Sequence, residues 1–257
     1  MSMVKVEIRG ASAPVAHVIL NRVDKLNALS AAFAAEIRDV AGELKNRQDL
    51  RAVVLESASD TAFIGGADVN ELGQLKSPAD AEAFIRGLHQ MIAAYRDLPV
   101  PVIAVVDGYC IGAGMEFVAA CDIRIISSRA VFGMPETKLG IPSVIEAALL
   151  PRLLGWGRTS WLLLTGENID AATAQAWGFS EFLVPPADLS ATVATTTEAL
   201  QQAAPKAVRD QKALMRRWEN LSLEASIEAG VEAFAGAFST PEPAAYLAPI
   251  LARMARK

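Results

Sequence analysis

Residues 102–122 read VIAVVDGYCIGAGMEFVAACD. The run Val102–Val106 is apolar and largely β-branched, the pattern of a buried strand. Gly108, Gly112 and Gly114 follow as a glycine-rich turn, and an apolar helix then begins with Glu116 in its first turn. The first N–H groups of a helix have no intrahelical acceptor, and the helix dipole favours negative charge beside them. Glu116 is surrounded by apolar residues and glycine, where an unpaired carboxylate is costly. Taken alone, the stretch admits two readings: an ordinary strand-turn-helix with a solvated glutamate, or amide donors set beside a working carboxylate.

The same design occurs once before. SASDTAFIGGADVNEL, residues 57–72, reads as a strand, the pair Gly65-Gly66, and a helix starting near Asp68. Two such turns, 65–68 and 112–114, can aim two N–H groups at one oxygen and so form an oxyanion hole. A second carboxylate, Glu136, follows Met134-Pro135 in a loop after a strand. Glu116 and Glu136 suit a general acid/base pair where they share a pocket. A solvated loop position for Glu136 is the competing reading.

Working outward, Val4–Ile8 and Val15–Leu20 read as strands joined through Gly10 and Pro14. A polar loop, NRVDKLNALS, leads to Ser30, an expected cap for a helix running to about Gln48. Ala52–Leu55 reads as a buried strand, and Ser77-Pro78 starts a helix with Phe84, Leu88, Ile92 and Tyr95 on one face. Strands at 123–127 and 131–132 come next. Beyond Ser143 the pattern is almost wholly helical, near 143–153, 158–165, 171–177, 188–203, 206–218, 222–236 and 242–256. Alternating strand and helix up to about residue 140 predicts an α/β fold with parallel strands and helical crossovers.

Composition narrows the function. The chain has 257 residues, is 52% hydrophobic and carries a net charge of −5 with scattered lysine and arginine, which disfavours nucleic acid as a partner. Its two histidines, His17 and His89, and two cysteines, Cys110 and Cys121, lack metal-ligand spacing and give a Ser-His triad little to build from. His17 reads as a packed strand residue and the cysteines as buried thiols. The N-terminus alternates like a strand, and the longest apolar region is broken by Pro101, Asp107 and Glu116. A soluble, cytoplasmic chain without a membrane span is expected.

Five segments, taken in order, resemble the crotonase superfamily, the enoyl-CoA hydratase/isomerase group: DKLNALS (24–30), AFIGGADVNEL (62–72), DGYCIGAGMEF (107–117), AACDIRI (119–125) and VFGMPETKLGIP (131–142). The resemblance covers about the whole chain. It implies a spiral of ββα turns over 1–195 and a C-terminal helical region, 196–257, that drives trimerisation, with trimers often pairing into hexamers. It implies an acyl-CoA thioester substrate, with CoA part of the substrate and no separate cofactor or metal. The backbone N–H groups of Ala67 and Ala113 would bind the thioester carbonyl, and Lys25, Leu26, Ala67, Asp68 and Val69 would line the CoA path. Glu116 and Glu136 match the two glutamates of the family's hydratases, with Glu136 protonating C2 and Glu116 activating water.

Two departures stand out. Ala113 occupies a position that is usually glycine, which suffices where its φ is negative. After Gly140-Ile141-Pro142 the family pattern is glycine-rich, whereas this chain reads SVIEAALLPRLLG. Ser143 is expected to cap a helix there. Glu146 is read either as a first-turn residue complementing the helix dipole or as a third carboxylate near the acyl pocket. Arg253 reads as a surface cation or a contact for CoA phosphates. Rival functions are another crotonase reaction (isomerisation, decarboxylation or thioester hydrolysis) and a non-catalytic scaffold or RNA-binding member.

Overall fold

The computed structural model describes residues 2–256. An antiparallel pair opens the chain: β1 (Val4–Arg9) and β2 (Val15–Leu20), with Val4 opposite Leu20. α1 (Ala31–Lys45) follows, and its cap is Ser30, whose hydroxyl accepts the Phe33 N–H at 3.1 Å. Phe33, Ile37 and Leu44 form its buried face, at helical spacing.

Three turns of one design come next. The first holds β3 (Ala52–Ser57), β4 (Ala62–Ile64), α2 (Val69–Leu72) and α3 (Pro78–Arg96). The second holds β5 (Val102–Val106), β6 (Tyr109–Ile111) and α4 (Ala113–Ala120). The third holds β7 (Ile123–Ser127), β8 (Val131–Gly133), 3₁₀ turns at Pro135–Leu139 and Ile145–Leu149, then α5 (Leu150–Leu154) and α6 (Trp156–Thr165). β9 (Asn168–Asp170), α7 (Ala171–Ala176) and β10 (Phe182–Val184) close the sheets. Four helices finish the chain: α8 (Leu189–Gln202), α9 (Pro205–Trp218), α10 (Leu223–Ala237) and α11 (Glu242–Met254).

Each turn gives one strand to each of two sheets. The larger sheet has the order β1-β2-β3-β5-β7-β10 and the smaller β4-β6-β8-β9. Neighbours from successive turns pair in parallel, as helical crossovers require. The chain therefore spirals, with the turn between the two strands and the helix N-terminus recurring at one side. β5 shows why its sequence is apolar throughout. Val102, Ala104 and Val106 face the main core, whereas Ile103 and Val105 face a second core under α8 that includes Val193.

The structure corrects several expectations. β6 lies within what reads as a glycine turn, and β9 and β10 lie in gaps between expected helices of the region read as almost wholly helical. All three have three residues, too few to display a period. The helix expected over 143–153 starts late, because Ile145 has φ 40°, and it runs as a 3₁₀ turn, Ile145–Leu149, into the short α5. Ser143 caps neither piece: it donates from Oγ to Glu136 Oε2 at 2.7 Å. α9 is tied to the core by Lys212, whose Nζ donates to Asp122 Oδ2 at 2.6 Å and to the Val100 carbonyl at 2.9 Å. Both cysteines are free and buried, and His17 is a buried β2 residue with Nδ1 3.0 Å from Glu56 Oε1. Among the described residues, no helix is long and apolar enough to cross a membrane. No cluster of three or more His, Cys, Asp or Glu side chains among them is placed to hold a metal.

Candidate active site

The site grows from two turns. At the entry to α4, Gly112 takes φ 55° and ψ −125°, a region open to glycine alone, and its N–H donates to the Gly133 carbonyl at 2.8 Å. Ala113 is then the first helical residue, so its N–H has no partner in the helix. At the second turn Gly66 has φ 107°. Leu29 N–H donates to the Gly66 carbonyl at 2.8 Å, and Asp68 N–H to the Leu29 carbonyl at 2.9 Å. The Ala67 N–H lies between these bonds. Among the described residues neither Ala67 nor Ala113 finds an acceptor for its N–H. Ala113 is also absent from the positive-φ residues, so alanine meets the condition set for that position.

The two turns approach each other at Gly112, beside Glu136. A Cβ built on Gly112 would strike Glu136 Oε1 and lie 4.0 Å from the Gly66 Cα. Ala67, Ala113, Glu116 and Glu136 all line one cavity of about 220 Å³, to which α3 contributes Phe84, Ile85 and Leu88. The sequence-predicted pair of carboxylates and pair of amide donors therefore share one space.

Glu116 is 3% exposed on α4, a helix in which all eight residues are buried. Burial, then the charges of Glu136 and Glu146, push its carboxyl up to about 9, although the backbone amides of Ala147 and Val144 oppose this. Glu116 is thus protonated at neutral pH in the free protein. Glu136 sits on the Pro135–Leu139 turn, half-buried, with one oxygen against Gly112 and the other held by Ser143.

Glu146 does not sit on a helix dipole at the surface. It is buried, its Oε1 lies 2.7 Å from His89 Nδ1 on α3, and its Oε2 has no partner. Burial raises its carboxyl above the usual range, and His89 counteracts this. It stands behind the cavity wall rather than on it.

The residues expected along the CoA path divide. Lys25, Leu26 and Val69 are exposed, and Ala67 and Val69 line the cavity. Asp68 is 5% exposed, its Oδ2 2.8 Å from Arg22 and its Oδ1 accepting the Asn70 N–H at 3.0 Å. Its carboxyl lies well below the usual range, mainly because of Arg22. Its side chain therefore ties the 22–29 loop to the Ala67 turn. Buried Asn27, at φ 51°, completes that tie: Oδ1 accepts the Arg22 N–H at 2.8 Å and Nδ2 donates to the Phe63 carbonyl at 3.0 Å. Sequence reasoning missed Arg22, Asn27 and the bond from Ser143 to Glu136. The polar loop after β2 is the only signal for the first two. Arg253 is exposed in the last turn of α11.

A family model described as Enoyl-CoA hydratase/isomerase matches residues 10–245. The chain is 34% identical over 229 residues to a short-chain-enoyl-CoA hydratase of Clostridium acetobutylicum, spanning 89% of this chain and 87% of that one. It is similar to a solved enoyl-CoA hydratase of Mycobacterium smegmatis at TM-score 0.94 and 26% identity, covering 98% and 97% of the two chains. A Bacillus anthracis enoyl-CoA hydratase superposes at TM-score 0.90 with 28% identity, over 96% of each chain.

Proposed function

Because the chain belongs to the enoyl-CoA hydratase/isomerase family of the crotonase superfamily, we propose that it adds water across the 2,3 double bond of a short 2-trans-enoyl-CoA. The observation that carries this reading is the convergence of Glu116, Glu136 and the free N–H groups of Ala67 and Ala113 on one cavity. Its volume of about 220 Å³ is below the ~300–1,000 Å³ of sites for drug-sized ligands, which favours a short acyl group.

The thioester oxygen would accept from Ala67 and Ala113. Glu136 lies beside Gly112, the residue that precedes the Ala113 donor, at the carbonyl end, and so serves C2. Glu116, more deeply buried, serves C3. As a water oxygen bonds to C3, Glu116 takes a proton from that water. The π electrons move towards the thioester oxygen, where the two donors hold the developing enolate. The enolate then takes a proton from Glu136 at C2. The product is a 3-hydroxyacyl-CoA, with Glu116 protonated and Glu136 ionised. Dehydration runs the same path backwards, so both directions use a pair that holds one proton. The free site keeps that proton on Glu116, the arrangement ready for dehydration. Isotopic water enriched in heavy oxygen tests the reaction: the label must appear in the C3 hydroxyl, and label in a free carboxylic acid instead would mean thioester hydrolysis.

A pH profile follows from the same electrostatics. Glu116 is a carboxyl raised to about 9, so the one-proton pair survives through neutral pH and loses its proton above that value. kcat/KM should be level through neutral pH and fall about tenfold per unit above about pH 9. A rate that climbs through pH 9 contradicts the shared proton.

Self-association is part of the proposal. Leu223, Ile227, Val231 and Phe234 of α10 and its cap residue Phe238 are all more than half exposed and form one stripe at helical spacing. Other copies of the chain, in a trimer or a dimer of trimers, are the proposed cover for it. Phe234→Glu should shift the mass measured by light scattering towards the single chain, whereas an unchanged assembly places the interface elsewhere.

A further inference from the structure

The segment from Ser143 to Ala147, where the chain departs from the family pattern, touches all three carboxylates. Ser143 Oγ donates to Glu136 Oε2 at 2.7 Å. The backbone amides of Val144 and Ala147 face the Glu116 carboxyl. Between them, Glu146 turns away and meets His89 of α3 at 2.7 Å. Ile145 sits in this segment at φ 40°, a left-handed conformation that β-branched residues strongly disfavour. A conformation of that kind persists only where its surroundings impose it. Those surroundings are the bond from Ser143 at one end, the Glu146–His89 bond at the centre and the packing of the turn on α4. Burying Glu146 with Oε2 unpartnered is costly, and the bond from Oε1 to His89 offsets part of that cost.

We propose that the Glu146–His89 hydrogen bond is a latch that holds the strained Ser143–Ala147 segment in the conformation that orients both Glu116 and Glu136. Ser143, Glu146 and His89 are then positioning residues. None of them touches the reacting atoms, and the latch acts through the two glutamates that do. His89 is half-exposed, so the latch is set from the outer surface of α3. The effect on turnover rests on the hydratase reading; the effect on the segment itself does not.

His89→Ala and His89→Asn separate these points. The Asn amide can donate to Glu146 from close to the position of the imidazole Nδ1. His89→Ala should lower kcat on crotonyl-CoA by about tenfold to a hundredfold, the scale of a small misplacement of catalytic groups. Binding of the unreactive butyryl-CoA should change by less than about threefold, since the groove and the N–H donors stay in place. Amide exchange across residues 143–149 should speed up, and His89→Asn should recover most of both losses. Wild-type kcat with unchanged exchange in His89→Ala overturns the latch. So does a loss of butyryl-CoA binding that matches the loss of kcat, which would mean collapse of the whole pocket. If the wild-type protein leaves crotonyl-CoA unchanged, the hydratase reading falls, and the exchange comparison alone decides the latch.

Discussion

Glu136→Gln should lower kcat for crotonyl-CoA hydration by about 10³-fold, within the 10²–10⁴ range that a positioned proton donor contributes. Glutamine has the same shape, and its carbonyl oxygen can still accept from Ser143, so the turn at 135–139 keeps its place. The amide has no proton acidic enough to give to C2. Addition at C3 then has no route to a neutral product. Butyryl-CoA should bind this variant within a few-fold of wild type, because the two backbone donors and the exposed Lys25, Leu26 and Val69 are untouched. Near-normal turnover removes Glu136 from proton transfer. A matching loss of binding would place it in ground-state recognition instead.

Ala113→Pro should lower kcat/KM by about 10²–10³, or roughly 3–4 kcal/mol of transition-state stabilisation, the usual effect of losing one oxyanion donor. The position makes this a cleaner test than proline in most helices. Ala113 is the first residue of α4, where proline is well tolerated, and its N–H has no acceptor among the described residues to lose. Gly112, at φ 55° and ψ −125°, occupies the mirror image of the extended region that a residue before proline prefers, which glycine adopts freely. The fold and assembly should therefore survive, as thermal unfolding and light scattering can show. Retained activity in a folded Ala113→Pro protein would mean that the thioester oxygen is held elsewhere.

These two residues show what the sequence makes legible. Val102–Val106 reads as a strand to the residue, because a strand buried on both faces is an unbroken apolar run. The glycines at 66 and 112 mark turns whose positive φ other residues avoid, and the alanines after them inherit the free N–H groups. Glu116 is legible as odd, because a carboxylate inside an apolar helix has no cheap explanation. Glu146 is not legible in the same way. Its burial depends on Ile145 taking φ 40° and on His89, 57 residues away, and neither leaves a local pattern. The pairing of Arg22 with Asp68 is similarly distant, so Asp68 reads as a groove residue although its carboxylate is tied inward. β6, β9 and β10 escape for a simpler reason: three residues without a longer apolar pattern around them show no alternation.

In the proposed reaction, two glutamates and two backbone donors act together on one enoyl thioester. The most direct measurement mixes the protein with crotonyl-CoA, follows the absorbance of the conjugated enoyl thioester, and weighs the product. Loss of the band with a gain of one water is the predicted result. A band and mass that stay unchanged contradict it.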